Sequence, residues 1–448
     1  MFSFLLPLIV SWPNSPSTMN RPYLKSVFSL KYMNLASLFI LLCKSPLYSL
    51  PQLFSSVDIT IDPFSWSMIM LSLLLSTLTT YFSPAINWKN YHQMPMLCFL
   101  LCLICIVTFC SKSMMMFFIF FELSLIPIFL VILGWGYQPE RVGASKMMLF
   151  YTLFGSMPFL AILNILTNSS MNCFIMNSIN QSFNYSLTCF LMMTLLLLLK
   201  LPLFSLHLWL PAAHVEAPMQ GSILLAGILL KLGGFGLWRI CSMITMSSKL
   251  MSYNIMPLTV FGLFASVLVI LSQTDTKVII AYSSVAHMTI AFLGIMIQSL
   301  YSMVGSFIMF VGHTIISANL FLLMAILFHS TNTRNILLNK GFISIQPLVM
   351  LLLGISCIFN AGGPFTLSLM SEISLIITSY NSISFSLLPI FFFLMGGMAY
   401  NMIVYSKISH SNFNKDCLVV SSKLLMAAST LYVCLMILST LMMFFYFL

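Results

Sequence analysis

Apolar runs follow one another along most of the chain, separated by short polar connections. A helix needs about 20 apolar residues to cross a bilayer core. Runs near that length predict helices at about 2–12, 28–48, 64–84, 94–110, 113–135, 146–166 and 187–210, then at 219–243, 254–272, 277–298, 302–328, 346–380, 384–406 and 425–447. The chain thus reads as an all-α polytopic membrane protein of about 14 transmembrane helices. Two helices read as broken. In the seventh, Pro202 follows Lys200, and proline removes a backbone donor and crowds the preceding turn. The twelfth contains FNAGGPF at 359–365, with Pro364. Backbone groups freed at membrane depth must be satisfied by protein or water, and paired breaks in two halves point to a repeated transporter core. The breaks lie five helices apart. Helices 4–8 (94–243) and 9–13 (254–406) therefore read as two copies of one five-helix unit, preceded by helices 1–3 (1–93) and followed by a loop and helix 14 (407–448).

Composition agrees with this picture. The 448 residues are 60% hydrophobic and 6% charged, far below the roughly 25% charge of soluble domains. The net charge of +10 is scattered singly through connections, which excludes a nucleic-acid-binding patch. Connections after odd-numbered helices carry Arg21, Lys25, Lys89, Arg141, Lys146, Lys277, Arg334, Lys340, Lys407, Lys415 and Lys423; those after even-numbered helices carry Lys44, Lys112, Arg239 and Lys249. Positive loops stay on the side of synthesis, so both termini are expected on the opposite side. The 36 methionines and 40 phenylalanines suggest a compact organellar genome. Cys98, Cys102 and Cys105 share a helical face with no histidine or acid interleaved, a packing pattern rather than a metal or redox site. Met1–Val10 lacks the charged start and small cleavage residues of a signal peptide.

Against that background, ionisable groups inside the apolar runs stand out. Lys200 ends LTCFLMMTLLLLLK, and Lys231 sits within GSILLAGILLKLGGFG. A central charge costs roughly 2.5–3.5 kcal/mol on insertion scales, so such groups face cavities, ion paths or partners. Glu122 is mid-helix in FFIFFELSLIPIFL, and Glu372 lies eight residues past Pro364. Asp58, Asp62, Glu140, Asp275 and Asp416 read as loop or helix-end acids, and Glu216 as an acid at a helix mouth. A buried acid and lysine tune each other. Two unit charges 4 Å apart interact by about 4 kcal/mol at an effective dielectric near 20, about three pKa units, enough to switch proton occupancy. His207, His287 and His313 fall within helices, His214 lies at a helix mouth, and imidazole relays protons near neutral pH. His92, His329 and His410 read as loop residues. Two readings remain open: a proton relay, or static ion pairs that lock helices together. The glycines of LGGFG (232–236) allow close helix packing or room for water beside Lys231. No dinucleotide fingerprint or P-loop is present.

LHLWLPAAHVEAPMQGSILLAGILLKLGGFG (206–236), DTKVIIAYSSVAHM (275–288), GWGYQPERVGASKMMLFYTLFGSMP (134–158) and FFELSLIP (120–127) closely resemble the antiporter-like membrane subunits of respiratory complex I. The resemblance covers almost the whole chain. It implies fourteen helices with two inverted five-helix repeats and a proton path along a central polar axis. By motif, Glu122 and Lys200 match the paired acid and lysine, Lys231 the central lysine and Glu372 the terminal acid. Glutamate stands at that last position, where related chains often have lysine. Ala212 departs from the polar residue often found after LWLP. The resemblance further implies a mitochondrial inner-membrane location with termini in the intermembrane space. It implies no cofactor in this chain, with flavin, iron–sulfur clusters and ubiquinone sites in other subunits. Expected partners are other membrane-arm subunits, neighbouring antiporter-like chains, accessory subunits and lipids such as cardiolipin. The alternatives are a stand-alone cation/proton antiporter subunit and a purely structural membrane subunit.

Overall fold

The computed structural model describes residues 61–82, 93–168, 187–243, 245–364, 366–382 and 387–410. The helices expected at 2–12, 28–48 and 425–447 lie outside them, as do Asp58, His92 and Asp416. No β-strand forms among the described residues. The helices are α1 (Pro63–Phe82), α2 (Gln93–Cys110), α3 (Met114–Leu123), α4 (Leu125–Trp135), α5 (Arg141–Asn168), α6 (Leu187–Lys200) and α7 (Trp209–Glu216). They continue as α8 (Met219–Leu224), a π-helical turn at Leu225–Leu229, α9 (Leu230–Met243), α10 (Thr245–Ser272), α11 (Thr276–Ile297), α12 (Leu300–Thr331), α13 (Pro347–Asn360), α14 (Leu367–Ser382) and α15 (Leu387–Ser409). Eight helical spans among these residues are long and apolar enough to cross a membrane.

The apolar runs form helices because only a helix satisfies its own backbone polar groups in hydrocarbon. The run at 113–135 is one span with a joint at Ser124. Pro127 has no N–H to offer the carbonyl four residues back, and the Ser124 hydroxyl donates to the Phe121 carbonyl at 2.6 Å. α12 is longer than the expected 302–328 and is buried along most of its length, packed on α11, α13, α14 and the α8–α9 segment. His329 therefore lies in its last turn rather than in a loop.

Both expected breaks are present. α6 stops at Lys200, and the chain resumes helix only at Trp209, whose indole N–H donates to the freed Leu199 carbonyl at 2.9 Å. α13 stops at Asn360 and α14 begins at Leu367. There the Thr366 hydroxyl donates to Gly363 O at 2.7 Å and the Ser368 hydroxyl to Phe359 O at 2.7 Å. Gly362 takes a left-handed φ of 71°, open to glycine at no steric cost. The six cysteines at 98, 102, 105, 110, 241 and 357 are buried and form no disulfide, consistent with packing.

Several connection charges are not in open loops. Asp62, just before α1, pairs with the buried Arg239 of α9, whose guanidinium also lies over the Phe235 and Trp238 rings. Lys277, at the start of α11, is buried too. Charge this close to a span end looks like loop in a sequence, because the partner that buries it comes from another helix.

Candidate proton path

Lys231 is fully buried, and the turn before it explains how its charge is accommodated. The wide turn at Leu225–Leu229 replaces the α-helical hydrogen-bond pattern, and such insertions are frequent at functional sites. The Lys231 ammonium donates to Ala226 O at 2.6 Å and to Nδ1 of His313 at 3.0 Å. When the lysine is charged, Nδ1 accepts, and a neutral His313 then carries its proton on Nε2. The His313 ring lies 5.6 Å from that of His287, centroid to centroid. Nδ1 of His287 is 3.9 Å from Oε1 of Glu372, and the ring also lies beside Asn360 at the second break. Four elements contribute: α9, α12, α11 and α14.

Glu372 is set by the second break. Its Oε2 would lie 2.4 Å from a Cβ placed on Gly362, so the carboxylate occupies the space a side chain there would take. Beyond the break, the Asn360 amide donates to Asn401 Oδ1 at 3.1 Å and to the Tyr400 hydroxyl at 3.4 Å.

The other end of the axis is looser. Glu122 is half-buried at the end of α3, and its Oε1 has no hydrogen-bond partner. The Lys200 ammonium lies over the Phe121 ring, 4.6 Å from its centre, a favourable placement for a cation. Glu122 and Lys200 feel each other's charge but form no ion pair within 4 Å. Lys200 thus turns to the face of the residue preceding Glu122 rather than to the carboxylate itself.

Nor does Lys231 turn to Lys200. A Cβ on Gly233 would lie 3.0 Å from Leu201 N and 3.0 Å from Lys200 Cβ. Gly233 therefore faces the first break, and residues two apart on a helix point in opposite directions. Gly234 abuts the Phe310 ring. The LGGFG glycines are points of close approach by neighbouring protein. Between Lys231 and Glu372 stand two histidines, His313 and His287.

His207 sits in the first break, bonded through Nδ1 to Phe204 O, stacked on the Phe204 ring and edge-on to Tyr282. Pro202 lies in the same non-helical stretch, and Pro364 in the second. His214 is not at a mouth: it is fully buried in α7, stacked on Phe321 at 4.9 Å, with neither nitrogen hydrogen-bonded. Glu216 is buried as well, and its Oε2 accepts from Gln138 N at 3.3 Å. Lys277 Nζ donates to Ala217 O at 2.9 Å and Val215 O at 3.3 Å. The Lys277 and Arg334 cations both lie over the ring of Tyr137, in the α4–α5 connection, at 5.2 and 5.4 Å from its centre. Burial raises its phenol above the usual value, and the Arg334 charge partly offsets that. Sequence reasoning missed Lys277 and left Glu216 open; the signal was their place within the long 206–236 and 275–288 motifs.

Residues 111–399 match the family described as "NADH:quinone oxidoreductase/Mrp antiporter, TM". NADH-ubiquinone oxidoreductase chain 4 of Ceratitis capitata is 38% identical over 353 residues, 78% of each chain. That of Rhipicephalus sanguineus is 37% identical over 369 residues, 81% of this chain and 82% of the relative. Among solved structures, a chain of respiratory complex I from Thermus thermophilus with bound NADH superposes with TM-score 0.85 at 20% identity, over 98% of this chain and 95% of that one. A chain of the Mrp complex from Dietzia sp. gives TM-score 0.75 at 18% identity, over 90% and 76%.

Proposed function

The chain belongs to the NADH:quinone oxidoreductase/Mrp antiporter family, and on that premise we propose that it is a proton-translocating subunit in the membrane arm of a respiratory NADH:ubiquinone oxidoreductase. The names of the chain 4 relatives support the assignment to that complex. The observation that carries the mechanism is the succession Lys231, His313, His287, Glu372, in which each member faces the next across a helix boundary.

Protons move along that line as follows. The Lys231 ammonium donates to Nδ1 of His313, and the resulting imidazolium releases its Nε2 proton towards His287. The 5.6 Å between ring centres and the 3.9 Å to Glu372 are each short enough for one bridging water. Glu372 receives the proton and passes it on. Glu122 and Lys200 act on the other side of α9, where the state of the Glu122 carboxylate controls how strongly Lys200 holds its charge. Redox chemistry belongs to other subunits, with flavin, iron–sulfur clusters and quinone, and its energy reaches this chain through neighbouring membrane-arm subunits. The positively charged connections face the mitochondrial matrix, and both termini face the intermembrane space. In the alternative the same buried charges are inert locks.

The test is Glu122→Ala in the assembled complex. Proton pumping and coupled NADH oxidation should fall sharply with assembly retained, and Glu122→Asp should be milder because it keeps the charge. Normal pumping by an assembled Ala variant would remove Glu122 from the path.

A further inference from the structure

We propose that Lys277 and Glu216 form the aqueous access point of the central lysine, with His214 as the proton carrier between them and Lys231. The inference rests on the proton-translocating reading above and adds the route by which Lys231 exchanges protons with one side.

The geometry begins at the C-terminal end of α7. Its last turn holds His214 and Glu216, and Lys277 of α11 reaches into that turn to bond the Val215 and Ala217 carbonyls. The groups facing Lys277 are Glu216 and His214 from α7, Tyr137 from the α4–α5 connection and Arg334 from the segment after α12. These elements meet where helix ends and connections come together, at the end of α7, the start of α11 and the segments around Tyr137 and Arg334. Lys277 and Glu216 are both more than nine-tenths buried, although each stands within a residue or two of a helix end.

A lysine that only capped α7 would interact with its carbonyls and dipole equally well from an exposed position. Capping alone also gives no account of His214, a fully buried imidazole with two unpartnered nitrogens. Buried polar groups without protein partners are where proteins admit water. The neighbouring Gln220, at the start of α8, likewise leaves its buried Oε1 unpartnered.

From His214 the way to Lys231 runs along α12. His214 stacks on Phe321, and Lys231 meets His313. Phe321, Ser317 and His313 are spaced four residues apart on one face, covering about 12 Å at 1.5 Å per residue. Ser317 is buried and lies midway. A proton entering from water converts the Lys277 amine to ammonium. The ammonium gives its proton to neutral His214, and the imidazolium gives it through the Ser317 hydroxyl and water to the Lys231 amine. Each donor is restored as the next proton arrives, and nothing is oxidised or reduced. Glu216 balances the charge while Lys277 is protonated.

The experiment measures assembly by native electrophoresis and proton pumping per NADH oxidised in sealed vesicles, for Lys277→Arg, His214→Phe and Lys231→Arg. Arginine at 277 keeps the charge and the donors that cap α7 but does not release a proton. Phenylalanine at 214 keeps the stack on Phe321. The access role requires assembled complexes with loss of pumping in both. Normal pumping with Lys277→Arg would make Lys277 a cap and overturn the proposal. Should that variant not assemble, His214→Phe decides alone: loss of pumping supports the route and normal pumping overturns it. If Lys231→Arg also pumps normally, the proton-relay reading itself has failed. If Lys231→Arg is blocked while Lys277→Arg pumps, only the access route has.

Discussion

Lys231 and His313, 82 residues apart in the chain, meet at 3.0 Å in the buried centre of the protein, Nζ against Nδ1. The contact needs both the wide turn at Leu225–Leu229 and the buried α12, and it puts a proton acceptor in front of a charge with no acid in contact. A lysine that donates to a neutral imidazole is placed to give up its proton. A lysine locked to a carboxylate is not.

His313→Gln separates a hydrogen-bond partner from a proton carrier. The glutamine oxygen can accept from the Lys231 ammonium but does not relay its proton at neutral pH. Assembly should stay near wild type, and pumping per NADH oxidised should be lost. Full pumping with glutamine would mean that position 313 only solvates the lysine.

Gly362→Ala tests the seat of Glu372. The left-handed φ of 71° costs a non-glycine residue roughly 1–2 kcal/mol. The new methyl would also stand 2.4 Å from Glu372 Oε2, displacing the carboxylate from His287. Pumping should fall further than assembly does. Equal loss of both would mean that the break matters for folding alone.

Asp62 and Arg239 hold α1 against α9. Removing one partner of a buried pair typically costs about 3–5 kcal/mol, because the other charge is left uncompensated. Arg239→Leu should therefore lower the level of assembled complex markedly. Arg239→Leu with Asp62→Leu should recover part of it, with the pumping ratio of the assembled fraction unchanged. A pumping defect in that assembled fraction would give the pair a role in translocation.

Legibility in the sequence followed contrast. Lys200, Lys231, Glu122 and Glu372 stand out because each interrupts an apolar run, and both breaks carry proline or a glycine pair. The π-helical turn before Lys231 has no such mark: Leu-Ala-Gly-Ile-Leu is ordinary helix sequence, and the Lys231 ammonium bonds a carbonyl within it. Lys277, Glu216, Arg239 and Asp62 looked like connection charges because each lies near a span end. Their burial depends on residues from other parts of the chain, such as Tyr137 for Lys277. The resemblance paired Glu122 with Lys200, and each acts on the other's charge, but a motif does not say that the ammonium lies over Phe121.

Whether Lys231 must release its proton is tested most directly by pumping and assembly of Lys231→Arg beside Lys231→Ala. Arginine preserves the charge at the buried centre but holds its proton at any usable pH. A relay requires that both variants assemble and that arginine blocks proton pumping nearly as fully as alanine. Normal pumping with arginine, together with failed assembly of the alanine variant, would contradict the relay and leave Lys231 as a static lock.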